Sequence, residues 1–374
     1  MIDWASLAPG PPEWRVDWTA VEATFAVASA LQACPQDARH HGEGDVWTHT
    51  RMACEALVEG SGYRICSPAE RLVLFVATLL HDLGKPASTR LGPDGRLTAP
   101  GHARRGAIQA RGLLWRLGMP FETREQICAL IRWHQTPFHL IQRDDAQRLA
   151  IEVSQAARCD RLVLLAEADA RGRICSDAAQ LLEHVALFAE FCRELGCLSG
   201  PFAFASDHSR FAYFRRNGRD PNYHAFDSTR VEVVLMCGLP GAGKDHWVHE
   251  HLAGWPVISR DALRLELGVD HTDNQGPVIA RTRELTRGLL AAGERFVLNG
   301  THLSRAWRSD IVALLADYDA RVRIVYVEVA LPTLLTQNQA RPAAVPEAAI
   351  ERLMRRWEIP VRSEAHLVTW SVRS

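Results

Sequence analysis

The chain has 374 residues, 43 of them basic and 44 acidic, and 47% are apolar. This length allows two or three domains with sizeable cores, and the net charge of −1 argues against binding of nucleic acid or membrane by bulk charge while allowing a local basic groove. The nine cysteines form no C-x-x-C pair and are odd in number, which suits reduced thiols in the cytoplasm rather than a disulfide framework.

The opening stretch "MIDWASLAPGPPEW" holds an early acid and several prolines, so no signal peptide is expected. The longest apolar run, Leu72–Leu80, is far too short to cross a bilayer, and a soluble cytoplasmic protein with no membrane association is expected. From about residue 20 to 200 the chain reads as successive helices. "DVWTHTRMACEALV", "PAERLVLFVATLLHD", "GHARRGAIQARGLLWRL", "ETREQICALIRWH" and "RLVLLAEADARG" all carry apolar residues at three/four spacing. No alternating strand is expected among them. Ser67 and Pro68 suit a helix start, and Gly118, Met119 and Pro120 suit a stop and restart.

Six residues with metal-ligand chemistry fall on these helices, one or two to each: His49, His81 and the adjacent Asp82, His102, His134 and Asp169. A lone histidine is more often structural, but six such residues at helix positions point to a site. Nitrogen and oxygen donors in this mixture suit a divalent transition metal such as Mn, Fe, Co, Ni or Zn. The order H…HD…H…H…D resembles the HD-domain phosphohydrolases over about residues 40–175. The strings "GDVWTHT", "LLHDLGKP" and "GHARRGA" are especially similar to HD domains appended to bacterial tRNA nucleotidyltransferases. The resemblance implies an all-α domain in which His49, His81, Asp82 and Asp169 bind one metal. It further implies that Asp82 bridges to a second metal held by His102 and His134, and that Lys85 lies near the substrate phosphate. Such metals lower the pKa of a bound water and clamp phosphate oxygens. Asp45, His40 and His41 read as structural or rim residues.

Residues 201–230 lose the helical period and gather Gly, Pro, Asn, Asp and aromatics, as an ordered linker would. Beyond them, "VEVVLMC", "PVIS", "RFVLNG" and "RVRIVYVEV" are short β-branched runs between helical stretches, the alternation of a parallel sheet with crossover helices. The first run leads straight into "GLPGAGKD", where Gly238, Gly241, Gly243 and Lys244 meet the phosphate-loop pattern G-x-x-x-x-G-K. Strand, glycine turn and helix N-terminus together let backbone N–H groups converge on phosphate oxygens, and Lys244 can reach the β/γ-phosphates. Asp245 stands where Ser or Thr ordinarily holds magnesium. A carboxylate is a harder, more charged ligand than a hydroxyl, so a working variant with sharpened metal dependence is expected. "VISRDALR" puts Arg260, Asp261 and Arg264 at the carboxyl edge of the expected sheet. There Asp261 can take a proton from an attacking hydroxyl, and Arg264, one turn on, can bind an acceptor phosphate. "VLNGTHL" ends the third strand in polar residues, including Asn299 and Thr301. Arg341 lies in a Pro-rich loop suited to a phosphoryl-transfer lid.

The order GxxGxGK, "SRDALR", "NGTHL", "NQAR…VPEAAI" resembles the polynucleotide 5′-kinase branch of P-loop kinases over about residues 231–360. The resemblance implies Asp261 as general base for a 5′-hydroxyl, Arg264 on the acceptor's 3′-phosphate, and Arg341 on the phosphates of ATP (or another NTP) with Mg2+. Two departures stand out: Asp245 replaces Ser/Thr, and Gly300 stands where the phage member carries an acid.

The expected organisation is an all-α HD phosphohydrolase domain over 1–200, a linker over 201–230, and an α/β P-loop kinase domain with a parallel sheet over 231–374. The pairing resembles bacterial bifunctional end-healing enzymes. It implies phosphorylation of 5′-hydroxyl ends and hydrolysis of 2′,3′-cyclic phosphate or 2′-phosphate ends. The implied partners are nucleic-acid ends, RNA above DNA, with a functional link to a ligase and homo-oligomerisation left open. Arg104, Arg105, Arg215, Arg216, Arg355 and Arg356 are candidate backbone-phosphate contacts. Two other readings stay open on sequence alone: an HD nucleotidase fused to a nucleoside or metabolite kinase, and a nucleotide-gated module without catalysis.

Overall fold

Helix caps and helical-period burial build the first half of the chain. Helix α1 (Val46–Glu59) begins where the Asp45 carboxylate accepts from Trp47 N at 2.8 Å and Thr48 N at 2.9 Å, satisfying two N–H groups that the helix itself leaves unpaired. Asp45 is thus a cap. Helix α2 (Pro68–Leu80) opens with a Ser67–Glu70 capping box and Pro68 in its first turn. Every side chain from Val73 to Leu80 is buried, because α2 is covered by its neighbours on all sides and needs no polar stripe. Helices α3 (His102–Arg116) and α4 (Phe121–Trp133) pack on each other across a short turn at Gly118. Helix α5 (Cys159–Arg171) lies against α1 and α2 and also packs on α6 (Ala178–Glu194). One strand pair escaped the sequence reading. Arg90–Leu91 and Leu97–Thr98 pair antiparallel around the turn Gly92-Pro93-Asp94-Gly95. Each strand is two residues long, too short to show a period of two.

The structure is a computed structural model that describes residues 2–270, 273–341 and 344–373. The chain divides into two units, Met1–Ala203 and Phe204–Ser374. In the second unit five strands form one parallel sheet: β1 (Val231–Cys237), β2 (Val257–Ser259), β3 (Phe296–Asn299), β4 (Ala320–Val329) and β5 (Leu367–Arg373), in the order β2-β3-β1-β4-β5. Strand β1 is central and buried at every position except Glu232, as a strand covered on both faces must be. The loop that follows it therefore opens at the carboxyl edge of the sheet, at the strand flanked by β3 and β4. Strand β5 is one of the two edges, with side chains exposed or only partly buried, and so carries no continuous apolar signal. The stretch expected as a linker contains helix α7 (Asp207–Arg215), capped by the Ser206 side chain. Its Phe211 ring stacks on His366 with centroids 3.9 Å apart, which ties these residues to the second unit. No helix among the described residues is long and apolar enough to cross a membrane.

Candidate functional site

The six metal-ligand candidates of the first unit come from five helices, and four of them sit at helix ends. His49 lies in the first turn of α1, His81 and Asp82 follow the last residue of α2, His102 opens α3, His134 closes α4, and Asp169 lies in the last turn of α5. All six are buried. Donor atoms of His49, His81 and Asp169 lie within 4.8 Å of one another, as do those of Asp82, His102 and His134. Asp82 joins the two groups: its Oδ2 is 3.2 Å from His81 Nε2 and its Oδ1 is 3.2 Å from His102 Nε2. Close packing at Gly172 makes the meeting of α1 and α5 possible. A Cβ there would lie 2.6 Å from Ala53 N, and the bare backbone lets the Gly172 carbonyl reach His49 Nδ1 at 3.1 Å.

Hydrogen-bond chemistry tests whether these residues fit a cation. The Nδ1 atoms of His81, His102 and His134 face the backbone carbonyls of Thr78, Ala99 and Ile131 at 2.7, 2.8 and 2.8 Å. A carbonyl only accepts, so each neutral ring carries its proton on Nδ1 and turns an Nε2 lone pair inward. The result is two pairs of facing Nε2 atoms, His49–His81 and His102–His134, each at 3.3 Å. Both oxygens of Asp82 are buried without a hydrogen-bonded donor. Lys85 Nζ stands 2.7 Å from Oδ2 as a charge contact outside hydrogen-bonding geometry, while donating to Gln36 Oε1. Converging lone pairs beside a bare carboxylate are repulsive unless a cation lies between them. The ionisation tendencies of Asp82 and His134 agree, while His49 is drawn toward its protonated form. Burial opposes a charged Asp82, yet His81 and Lys85 hold its carboxyl well below the usual range. Burial likewise opposes a charged His49, and Asp169 and Glu43 outweigh it and raise the imidazole above its ordinary value. Burial and the neighbouring imidazoles push His134 down to about 3.

Three further residues hold this arrangement, and none was singled out from the sequence. Arg173 donates through Nε and Nη2 to both oxygens of Asp169, at 2.9 and 2.8 Å. The i, i+4 spacing of that pair is a signal a sequence can show. The Glu43 side chain is fully buried, with Oε1 3.1 Å from His49 Nδ1 and 2.7 Å from His41 Nδ1. Its Oε2 accepts from Ile174 N at 2.8 Å. His41 is thus part of this hydrogen-bonded shell rather than the rim. Gln36 fixes Lys85 from a loop with no periodic pattern.

In the second unit the glycine loop runs from Gly238 to Gly243 and leads into helix α8 (Lys244–His251). Gly238 has φ 146°, and a Cβ there would lie 2.3 Å from the Val327 carbonyl, so only glycine fits between β1 and β4. Lys244 Nζ folds back onto the carbonyls of Gly238 and Leu239 at 3.1 and 2.9 Å. Burial lowers its ammonium to about 8, partly offset by Asp245 and Asp261. Asp245 accepts from the Asn299 amide at the end of β3. Helix α9 (Arg260–Leu267) starts at the end of β2, with its N-terminus capped by Ser259. The Asp261 carboxylate stands between Arg264 Nη1 at 2.5 Å and Arg341 Nη2 at 3.3 Å. Lys244 feels the charges of both Asp261 and Arg341, so Lys244, Asp245, Asp261, Arg264 and Arg341 share one neighbourhood. Residues 342–343 of the expected lid lie outside the described residues. Gly300 has a local explanation: a Cβ there would meet the His302 ring at 2.8 Å. Of the candidate phosphate contacts, Arg105 is already bonded to the Ala87 carbonyl and Ser88 Oγ.

Comparison with known proteins separates the two halves. Residues 45–171 match the model of the HD domain family, and residues 233–360 match a model described as AAA domain. The chain is 38% identical over 108 residues to the Multifunctional CCA protein of Halorhodospira halophila, an overlap of 28% of this chain and 23% of the relative. It is 29% identical over 199 residues to that of Xanthomonas campestris, covering 50% of this chain and 46% of the relative. The chain thus spans a quarter to a half of the length of these curated relatives. A chain of the solved Pnkp1/Rnl/Hen1 RNA repair complex is 18% identical and aligns over 36% of this chain and 45% of that one, with TM-score 0.32.

The chain carries a helical HD domain over 45–171 and a P-loop domain matched over 233–360, whose five-stranded parallel sheet runs from Val231 to Arg373. The P-loop domain implies a nucleotide and Mg2+; the HD domain implies a divalent metal, for which the two His/Asp groups are present.

Proposed function

We propose that this protein heals broken RNA ends, phosphorylating 5′-hydroxyl termini from ATP and hydrolysing 2′,3′-cyclic phosphate or 2′-phosphate termini. The observation that carries the reading is the position of Asp261. Its exposed carboxylate lies beside the phosphate loop and between two guanidinium groups, where an acceptor that brings both a hydroxyl and a phosphate of its own would be met. The two domains treat the two products of ribonuclease cleavage, which leaves a 5′-hydroxyl on one fragment and a cyclic phosphate on the other. A relative named CC-adding tRNA nucleotidyltransferase, from Thermus thermophilus, supports an RNA substrate. The healed ends are those a ligase consumes, which makes a ligase the expected functional partner.

In the kinase, Asp261 takes the proton of the attacking 5′-hydroxyl. Arg264 turns from Asp261 to the acceptor's 3′-phosphate. Lys244 leaves its own loop carbonyls for the β/γ-phosphates, and Arg341 holds the charge that develops on the transferred group. Gly238, Gly241 and Gly243 shape the loop that wraps the phosphates, and Asp245 faces the magnesium. In the HD domain, His49, His81, Asp82 and Asp169 would hold one divalent ion and Asp82, His102 and His134 a second. Bound there, such ions supply a deprotonated water at neutral pH and neutralise phosphate oxygens. Lys85, already paired with Asp82, is placed to receive an anionic substrate oxygen, and Arg173 and Glu43 keep Asp169 and His49 in position.

The test uses the full chain with Mg2+ and γ-labelled ATP, offering a 5′-hydroxyl oligoribonucleotide, the matching DNA and a nucleoside 3′-phosphate, with Asp261→Ala as control. Label on the oligoribonucleotide that disappears in the variant is the expected result. Label only on the nucleoside 3′-phosphate would replace the reading with a small-molecule kinase, and ATP binding with no transfer to any acceptor would leave a nucleotide-gated module.

A further inference from the structure

In P-loop enzymes the magnesium ion is ordinarily held by the hydroxyl that follows the loop lysine and by an aspartate on a strand. Here the residue after Lys244 is the carboxylate Asp245, and the last residue of β3, the strand beside β1, is the amide Asn299. The two side chains are hydrogen-bonded to each other. We propose that residues 245 and 299 have exchanged roles: the magnesium-facing charge comes from the first turn of α8, and the neutral, orienting group comes from the end of β3.

Three observations carry this. First, the amide orientation is fixed by chemistry. A carboxylate only accepts, so Asn299 must point its NH2 at Asp245. One Asp245 oxygen is therefore occupied and the other is left for a ligand. Second, Asn299 is 7% exposed, and its Oδ1 has no hydrogen-bond partner. A buried amide oxygen without a donor costs free energy, and this one belongs to the same amide that grips Asp245. The hydration shell of a magnesium–nucleotide complex supplies the missing donor. Third, an aspartate at 299 would set a second carboxylate against Asp245 within hydrogen-bonding distance. Two anions there repel each other, so the pair tolerates one carboxylate, and the acid at 245 goes with the amide at 299. The loop of this chain is then a complete magnesium site with its charge moved across one contact. The inference rests on the kinase reading only in requiring that the loop bind a magnesium–nucleotide, and not on any acceptor.

The test is the affinity of the full-length protein for ATP with and without Mg2+, read by calorimetry, in the wild type, Asp245→Asn, Asp245→Thr, Asn299→Asp and the double variant Asp245→Thr/Asn299→Asp. Thermal melts confirm that each is folded. The wild type should bind ATP at least tenfold more tightly with Mg2+. Asp245→Asn, which keeps the shape and removes the charge, should lose most of that gain. Asn299→Asp should weaken metal-free ATP binding by placing two carboxylates beside the phosphates. The double variant, which restores the ordinary arrangement, should recover the magnesium dependence to within a few-fold of wild type. Bound Mn2+ in place of Mg2+, followed by electron paramagnetic resonance with ADP present, should show an altered spectrum in Asp245→Asn. A double variant no better than the worse single variant, or full magnesium dependence in Asp245→Asn, overturns the exchange. Failure to phosphorylate RNA alongside intact magnesium-dependent ATP binding would count against the end-healing reading alone.

Discussion

Glu43 offers the sharpest test of how the candidate metal centre is built. Its carboxylate accepts from Ile174 N–H at 2.8 Å and from His41 Nδ1 at 2.7 Å, and lies 3.1 Å from His49 Nδ1, which is hydrogen-bonded to the Gly172 carbonyl. Glutamine has the same shape but one acceptor oxygen, and its NH2 must face a donor whichever way it turns. If the oxygen stays on Ile174 N–H, His49 Nδ1 loses the carboxylate beside it and keeps only the Gly172 carbonyl; if it turns to His49, the Ile174 N–H, in an exposed residue, turns to water. The loss at the buried His49 is worth about 1–3 kcal/mol. Loss of a hydrogen-bond partner behind a ligating histidine typically weakens metal binding by about 10–100-fold. Glu43→Gln should therefore bind Mn2+ about 10–100-fold more weakly in a chelator competition, and chelator should lower its melting temperature less than it lowers that of wild type. His41→Ala, which leaves Glu43 on His49, should lose much less. Metal affinity within twofold of wild type in a folded Glu43→Gln protein would refute the idea that Glu43 positions His49.

Arg264→Ala should raise KM at least about tenfold for a 5′-hydroxyl acceptor bearing a 3′-phosphate, as expected for one lost charge-assisted hydrogen bond, while KM for ATP stays within a few-fold; equal effects on both substrates would contradict an acceptor role. Arg308 is fully buried, donates to both oxygens of Glu364, and also holds the carbonyls of His302 and Glu358. Glu364→Gln leaves that guanidinium without its counter-charge and should cost about 3–5 kcal/mol in urea denaturation; a loss below 1 kcal/mol would show that the pair is dispensable. Burial lowers His366 to about 4 from the usual 6.5, with His208 and Arg321 adding to the effect and Asp227 opposing it. Its Nδ1 accepts from Val322 N–H, so the native form is neutral. Because the folded value lies below the unfolded one, the unfolded chain gains a proton first as pH falls. Stability should be flat above about pH 6.5 and fall by at most about 3 kcal/mol toward pH 4, and His366→Asn should flatten that part of the profile; an unchanged slope would assign it to other groups.

The parts of this molecule that were legible in the sequence are those whose chemistry repeats or stands in a fixed local order. The helices of the first unit announce themselves because α1 to α5 each bury one face or more at helical spacing. The phosphate loop is legible because Gly238 to Lys244 is one continuous segment between a buried strand and a helix. The histidines and acids of the metal centre stand out because such residues are unusual at the ends of apolar helices. The partners of these groups were hidden for a common reason. Glu43 reaches His49 through a loop held by Ile174, and Asn299 meets Asp245 across 54 positions of sequence. A side chain that acts by hydrogen-bonding a distant one leaves no period, and its residue type alone is ordinary. Strand β5 and the short pairing at 90–98 were missed because exposed edge strands lack the apolar run by which buried strands are recognised.

Five helices spread over more than a hundred residues deliver their ligands to one buried point. An ion held there would join distant parts of the chain much as a covalent crosslink does. An unfolded chain that keeps the ion must close several large loops, and one that releases it forfeits the binding free energy. Folding of the first unit and loading of such an ion would then be one linked equilibrium, in which the melting temperature rises with the free concentration of the ion. The heat resistance of that unit would then gauge how much metal its surroundings supply.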